Sequence, residues 1–275
     1  MVTDESVFNI RDIKEISELR AVEDLQKEIW GCTEREILPC LTLIPLLDVG
    51  GLLLGVFAGE ELIGFSLGFP GLEDGRPTLH SDMLGVKREY RSLGLGYKLK
   101  LAQRQGALAR GIDRITWTFD PLQSRNAYLN FAKLGVVANR YKNNYYGETS
   151  SFLHTTGTDR LWVTWNLETE RVRNRLESGP NYQPPEFFEL PRLVRVGDNN
   201  APVSEKYSGT GGAIIEIPEG IDSLAETTPE LALRWRAATR AAFVDAIDAG
   251  LVAEEFFRVE RTGGSARIYV LNKKT

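Results

Sequence analysis

A change of hydrophobic period between residues 86 and 94 limits the fold more than any other feature of this sequence. Before it lie three apolar runs, Gly51–Ala58, Leu62–Phe69 and Leu79–Val86, separated by Gly59-Glu60-Glu61 and by the Gly/Pro-rich stretch Pro70–Pro77. Runs of that length between turn residues predict strands, and their short separations predict an antiparallel meander. After it, Gly94–Arg110 carries Leu95, Leu99, Ala102, Gly106 and Ala109 at spacings of three and four, which is one face of a helix. Gly111 closes that helix, and Ile112–Phe119 alternates Ile115, Trp117 and Phe119 as a strand. Asp120-Pro121 turns the chain, Ser124–Leu134 predicts a short helix stopped by Gly135, and Val136–Tyr146 and Leu161–Leu167 predict two more strands. Upstream, Leu19, Val22, Leu25 and Ile29 place a helix over Ser17–Trp30, with Ser17 as its cap and Gly31 as its end. Pro39 and Pro45 divide Ile37–Val49 into short kinked helical pieces. A meander leading into helix, strand, helix and strands is an α/β arrangement on a mixed sheet with at least one parallel pair.

The texture changes after about residue 168. Seven of the twelve prolines fall between Pro180 and Pro229, a density that favours a linker or long loops over packed structure. Order returns with a strand at Ala213–Ile217 and a helix over Glu230–Ala249, opened by Thr228-Pro229 and stopped by Gly250. A last hairpin pairs Phe256–Val259 with Arg267–Leu271 through Gly263-Gly264. The expected organisation is a domain over residues 1–168 and a smaller C-terminal α+β lobe over 169–275, with the proline-rich linker at about 178–212.

Composition removes several function classes. Thirty-eight acidic against 33 basic side chains give a net charge of −5, which argues against nucleic-acid phosphate as the main partner. The longest apolar run, Leu52–Ala58, is far below the length of a membrane helix, and the N-terminus has no basic-then-apolar signal. A cytoplasmic protein without a membrane partner is the expectation. Cys32 and Cys40 stand eight apart with no second pair, and His80 and His154 have no partner at metal-ligand spacing. No metal is expected, and the cysteines read as reduced thiols.

Chemistry concentrates at Leu84-Gly-Val-Lys-Arg-Glu-Tyr-Arg-Ser-Leu-Gly-Leu-Gly96, a strand end running through a glycine-punctuated turn into a helix. Gly94 and Gly96 let a ligand approach the backbone closely. A helix that begins there has unpaired amide N–H groups and a positive dipole end, with Arg88, Arg91 and Lys98 nearby. Those features suit an anion such as a pyrophosphate. A junction whose glycines only turn the chain is the alternative. A Walker A loop is absent, and a dinucleotide fingerprint fails because Leu99 stands where its third glycine would be.

Arg91-Ser-Leu-Gly94-Leu-Gly96 resembles the R/Q-x-x-G-x-G/A motif of the GNAT superfamily of acyl-CoA N-acyltransferases. The order of elements over residues 6–167 is similar to that fold. Ala127-Tyr-Leu-Asn-Phe131-Ala-Lys133-Leu-Gly135-Val136 resembles the family's second signature, A-x-x-x-Y-x-K-x-G-F. The resemblance implies that backbone groups of Leu84 and Val86 pair with a pantetheine arm. It also implies that amides across Arg91, Ser92, Leu93, Gly94, Leu95, Gly96 and Tyr97 hold the pyrophosphate of acetyl-CoA or another acyl-CoA. The expected activity is acetyl transfer to a small-molecule or protein amine within a ternary complex. A homodimer is left open.

The catalytic half departs from that pattern. Phe131 stands where many members carry the tyrosine that protonates the leaving thiolate, and Ser124 where an asparagine often opens the helix. Tyr128, three residues before Phe131, is a candidate acid on the same helical face, or a packing tyrosine. Asn126 and Asn130 face the cleft or the solvent. Strand alternation puts His80, Asp82, Leu84 and Val86 on one face, so His80 and Asp82 are candidates for the base that deprotonates the amine. Asp120 is a further candidate. Arg234, Arg236 and Arg240 read as a solvated helix face. Phe131 keeps a second function open, a CoA-binding sensor or scaffold without catalysis. A tRNA-dependent aminoacyl transferase is disfavoured by the acidic charge and the intact Gly94/Gly96 turn.

Overall fold

The computed structural model describes residues 8–147, 156–180, 187, 189–209, 211–261 and 264–273. His154 and the predicted Gly263 turn lie outside them. The chain divides into two compact units, one ending at Trp117 and the other holding 118–147 and the described residues from 156 onward.

The first unit is built on β1 (Phe8–Asp12), β2 (Leu52–Ala58), β3 (Glu61–Glu73), β4 (Arg76–Val86) and β5 (Arg114–Phe119), neighbours in that order. Helices α1 (Ile16–Trp30) and α2 (Cys40–Asp48) come before β2, and α3 (Leu95–Leu108) connects β4 to β5. The last two residues of β5 are counted with the second unit. Strands β1 to β4 are antiparallel and β5 joins β4 in parallel, which is the mixed sheet expected. The hairpin of β3 and β4 is longer than its prolines suggest. Its turn is Asp74-Gly75, both at positive φ, and Pro70 and Pro77 sit within the strands.

Leu19, Val22, Leu25 and Ile29 of α1 are buried with Phe65 and Leu67 of β3 in one apolar cluster. Gln26 is buried among them, yet its amide is satisfied: Nε2 donates to Leu38 O (3.0 Å) and Oε1 accepts from Leu38 N–H (2.7 Å). Ser17 is no cap, because α1 begins one residue earlier with Glu15 in the N-cap position, while Gly31 ends it in the left-handed conformation. The pieces expected around Pro39 and Pro45 are one helix, α2. Pro39 precedes it, where no N–H is needed, and Pro45 lies inside.

In the second unit, α4 (Ser124–Ala127) continues into a π-helical turn, Tyr128–Lys133, in place of the single short helix expected. Then follow β6 (Val137–Lys142), β7 (Arg160–Asn166), α5 (Glu170–Ser178), β8 (Arg192–Val196), β9 (Pro202–Ser204), β10 (Ala213–Ile217), α6 (Ile221–Thr227), α7 (Pro229–Asp248), β11 (Leu251–Arg261) and β12 (Gly264–Lys273). Its strands neighbour one another in the order β7, β6, β11, β12, β10, β8, β9. The proline-rich passage is therefore partly sheet: β8 pairs in parallel with β10, and β9 in antiparallel fashion with β8. Two of its prolines are placed where sheets tolerate them, Pro191 just before β8 and Pro202 at the start of the edge strand β9. The boundary expected near residue 168 falls inside this unit, between β7 and α5.

Candidate active site

The glycine turn joins the end of β4 to α3 through a left-handed residue. A 3-10 turn over Arg88–Leu93 ends at Gly94, whose φ of 73° and ψ of 8° are left-handed, and Gly94 is also the N-cap of α3. An added Cβ at Gly94 would meet nothing within 4 Å, so backbone conformation rather than crowding calls for glycine. Leu95 and Gly96 are the first two residues of α3, where helix geometry supplies no acceptor from within the helix for the amide N–H groups. Those of Tyr97 and Lys98 donate to Gly94 O (3.0 and 3.1 Å). Ser92, Leu93 and Gly94 are exposed and Leu95 is buried. The Arg91 side chain serves the loop itself: Nε donates to Val86 O (3.1 Å) and Nη2 to Ile29 O (3.4 Å). It pins the turn to the ends of β4 and α1.

β4 and β5 pair where Leu79 lies opposite Ile115 and His80 opposite Thr116, and β4 runs on from there to Val86. Along the same stretch its register against β3 slips, with Met83 opposite Leu67 but Ser81 opposite Gly68. Asp82 is the extra residue of a β-bulge, and a bulge reverses the alternation. His80 therefore shares its face with Met83 and Gly85, whereas Ser81 shares the opposite face with Leu84 and Val86. The single face expected for His80, Asp82, Leu84 and Val86 is corrected by that one inserted residue. The two faces have different neighbours. A Cβ at Gly85 would run into Trp30 and Ile29 of α1, while one at Gly96 of α3 would lie 3.5 Å from Leu84.

His80 Nδ1 lies 3.0 Å from Thr116 Oγ1, and the ring centroid is 5.6 Å from that of Phe69. Asp82 is open to solvent at its surface. The protein around it nevertheless raises its carboxyl pKa by desolvation, and His80 pulls in the other direction. The two groups thus sense each other across the bulge, though they do not lie on one regular face.

On the Ser81 face, α3 buries polar side chains that the sequence analysis did not single out. Its buried residues are Leu95, Leu99, Lys100, Gln103 and Ala107, a stripe rotated from the one that ended at Ala109. Lys100 Nζ donates to Ser81 Oγ (2.8 Å) and to Gln103 Oε1 (3.3 Å), and lies 3.7 Å from the centroid of the Trp117 ring. Burial alone depresses its pKa from 10.5 to about 7. Gln103 Nε2 and Ser66 Oγ are buried without a hydrogen-bond partner. A sign was present in the sequence: positions 95, 99, 103 and 107 repeat every four residues, and Gln103 stands among them.

Tyr128 and Phe131 belong to the second unit. Tyr128 opens the π-helical turn, with the Arg258 guanidinium 4.1 Å from its ring centroid. Phe131 is fully buried, edge-on to Tyr269 at 5.6 Å. Asn130 is buried rather than solvated. Side chains take up a carbonyl of the π-helical turn and that of its C-cap, Ala132 O from Arg175 Nη1 (3.1 Å) and Leu134 O from Trp165 Nε1 (2.8 Å). Asp120 is spoken for: its two oxygens accept from Arg236 Nη1 and Nη2 at 2.8 and 2.7 Å. Arg236 and Arg240 are thus not a solvated face, since Arg240 pairs with Asp159 at 2.7 Å. Among the described residues no group of three His, Cys, Asp or Glu side chains could hold a metal ion, and no helix is long and apolar enough to cross a membrane.

The glycine turn at the end of β4 lies within the stretch that comparison with known families picks out. Residues 19–135 match the acetyltransferase (GNAT) family. The resemblance read from the two motifs thus holds for the GNAT segment, which is less than half of the chain. No curated protein is found to match. Among solved structures, the ribosomal-protein-S18-alanine N-acetyltransferase from Escherichia coli is 14% identical, with a TM-score of 0.47 over 59% of this chain and 95% of that one. Ard1 from Thermoplasma volcanium is 14% identical, with a TM-score of 0.45 over 57% of this chain and 96% of that one. A probable acetyltransferase from Staphylococcus epidermidis is 16% identical, with a TM-score of 0.46 over 57% and 98%.

Proposed function

We propose that the chain is an acyl-CoA-dependent N-acyltransferase that moves an acetyl group from acetyl-CoA to an amine within a ternary complex. The observation that carries this reading is the left-handed Gly94 joining a 3-10 turn to α3 at the end of β4, inside the GNAT segment. In this reading the Leu95 and Gly96 amides and the positive end of α3 hold the pyrophosphate, with the exposed turn from Arg91 to Gly94 around it. Backbone groups of Leu84 and Val86 line up the pantetheine. His80, with Asp82 across the bulge, takes the proton that the acceptor amine must lose before it can attack. Tyr128 is a less direct candidate for acid, because its ring is engaged by Arg258.

Calorimetry with acetyl-CoA tests the binding, and release of free thiol with a panel of small amines and N-terminal peptides tests the transfer. Binding should be seen at micromolar to millimolar ligand. His80→Ala or Asp82→Ala should lower turnover on the order of a hundredfold while leaving that binding intact. Absence of heat at millimolar acetyl-CoA would sink the proposal. Phe131 favours one alternative, a CoA-binding sensor, and tight binding without turnover of any amine would make it the better reading.

A further inference from the structure

The leaving thiolate of an acyl-CoA needs a proton, and Phe131 has none to give. In the first unit, Lys100 Nζ sits between the first residues beyond the β4–β5 pairs, Ser81 on β4 at 2.8 Å and the Trp117 ring on β5 at 3.7 Å. Ser81 is the residue that the bulge puts on the same face as Leu84 and Val86. The residues whose backbone is proposed to meet the pantetheine thus lie three and five positions along β4 from a hydroxyl that accepts from an ammonium. We propose that Ser81 and Lys100 form a proton relay that protonates the departing sulfur, an inference that rests on the acyltransferase reading above.

The step balances as follows. As the amine nitrogen bonds to the acyl carbon, the carbon–sulfur bond breaks and its electron pair goes to sulfur. The Ser81 hydroxyl gives its proton to sulfur, Lys100 Nζ gives one to Ser81 Oγ, and Lys100 is left as a neutral amine. It regains its proton from solvent before the next cycle. In this proposal Ser81, buried at 4% exposure, is the group that meets the reacting atoms, and Lys100 acts through it as a positioning residue.

The surroundings of Lys100 suit that role. Gln103 of α3 accepts a second N–H bond, and Trp117 offers only the face of a ring. Among the described residues no carboxylate is within ion-pair range of Nζ, and no charged neighbour contributes to its depressed pKa. The titratable residues that flank Ser81 in β4 are His80, on the opposite face, and Asp82, at the bulge. A buried ammonium without a counter-charge gives up its proton readily, so both forms are populated near neutral pH, as an acid in turnover requires.

The test uses the full chain with Lys100→Met and Ser81→Ala. Acetyl-CoA affinity is read by calorimetry, and thiol release with the amine panel from pH 6 to 9.5. The charge on Lys100 itself is read from the carbon-13 resonances of labelled lysines. One lysine resonance should titrate near 7 and be missing in Lys100→Met. Both variants should bind acetyl-CoA within about threefold of the unaltered protein yet turn over on the order of a hundredfold more slowly. The unaltered protein should lose rate as pH rises through the lysine titration, and Lys100→Met should lack that limb. Normal rates in both variants, or rates that fall only in step with affinity, would overturn the relay and leave the acyltransferase reading standing. If the unaltered protein binds no acetyl-CoA or releases no thiol with any amine, relay and reading fail together. A lysine resonance that titrates only near 10 also overturns the relay.

Discussion

Arg175 and Arg236 of the second unit and Lys100 of the first show two opposite treatments of buried positive charge. In the second, Arg236 meets Asp120 through two hydrogen bonds, Arg175 meets both oxygens of Glu255, and the part-exposed Arg240 meets both oxygens of the buried Asp159. In the first, Lys100 is buried at 4% exposure, and among the described residues a serine, an amide and an indole ring surround Nζ. A planar guanidinium against a carboxylate is an arrangement that holds elements together, because each group offsets the desolvation of the other. An ammonium left without a counter-charge costs stability. The difference separates side chains that the fold uses from one that the fold tolerates, and it can be tested from both ends.

The largest effect should come from breaking a pair. Asp159 is fully buried and accepts bonds from Arg240, from the Tyr141 hydroxyl (2.7 Å) and from the Asn144 amide (2.9 Å). Asp159→Ala strands all three and should lose about 3–5 kcal/mol in urea unfolding. Burial pushes the Asp159 pKa up, but the bonds from Arg240, Asn144 and Tyr141 outweigh it and the result is lowered. A carboxyl with a lowered folded-state pKa stabilises above its unfolded value, and that contribution is lost as pH falls through the folded one. The deficit of Asp159→Ala should therefore be full at pH 7 and shrink below about pH 4. A constant deficit would mean that the lost packing matters and the charge does not.

Lys100→Met should act with the opposite sign. The unfolded chain keeps the lysine proton up to about 10.5, whereas the folded protein releases it near 7. Between those values the unfolded state binds more protons, so stability rises with pH across that window and the penalty is largest below it. Removing the amine should stabilise the protein at pH 6 by up to ~4 kcal/mol, less whatever the altered packing costs. The melting temperature should rise by several degrees at pH 6 and by less at pH 10. Destabilisation at every pH would place Lys100 with the arginines, as a structural group.

The sequence made some of this legible and hid the rest for identifiable reasons. The mixed sheet could be read because the meander and the following helix have different periods, and Gly94 because a strand end, a glycine and a helix start coincide. The bulge at Asp82 could not, since counting by twos assumes that no residue is inserted. The strands β8 and β9 were concealed by prolines that an edge strand or a strand start accommodates. Lys100 escaped because a lysine one position from Leu99 reads as the wet side of an amphipathic helix. Only the packing of α3 against β4 reveals that this side is covered. Arg236 and Arg240 were missed in the same way, their carboxylates lying more than 80 residues away in the chain.

Smaller effects should separate the ligand turn from the protein core. Gly94→Val forces a β-branched residue into a left-handed conformation, although an added Cβ would meet nothing within 4 Å. The strain should cost about 1–2 kcal/mol. If the turn relaxes away from that conformation, acetyl-CoA should bind about tenfold or more weakly while the thermal stability of the second unit is unaltered. Unchanged affinity would put the pyrophosphate elsewhere.

The smallest effect concerns the position where the acid of the resemblance is missing. Phe131 is enclosed, with Tyr269 edge-on at 5.6 Å and Phe119 at 6.3 Å, and the Tyr269 hydroxyl already donates to Pro121 O at 2.7 Å. Phe131→Tyr adds a hydroxyl to that packing, which costs about 1–2 kcal/mol unless it finds an acceptor. If Ser81 and Lys100 supply the proton, the added hydroxyl has no catalytic work to do, and turnover should stay within about twofold of the parent. The decisive comparison is Phe131→Tyr combined with Lys100→Met. Should the new hydroxyl restore the rate that Lys100→Met loses, both groups serve the same proton transfer. Should it raise turnover in the parent by tenfold or more, the sulfur lies nearer to residue 131 than to Ser81, and the unpaired lysine must be explained in some other way.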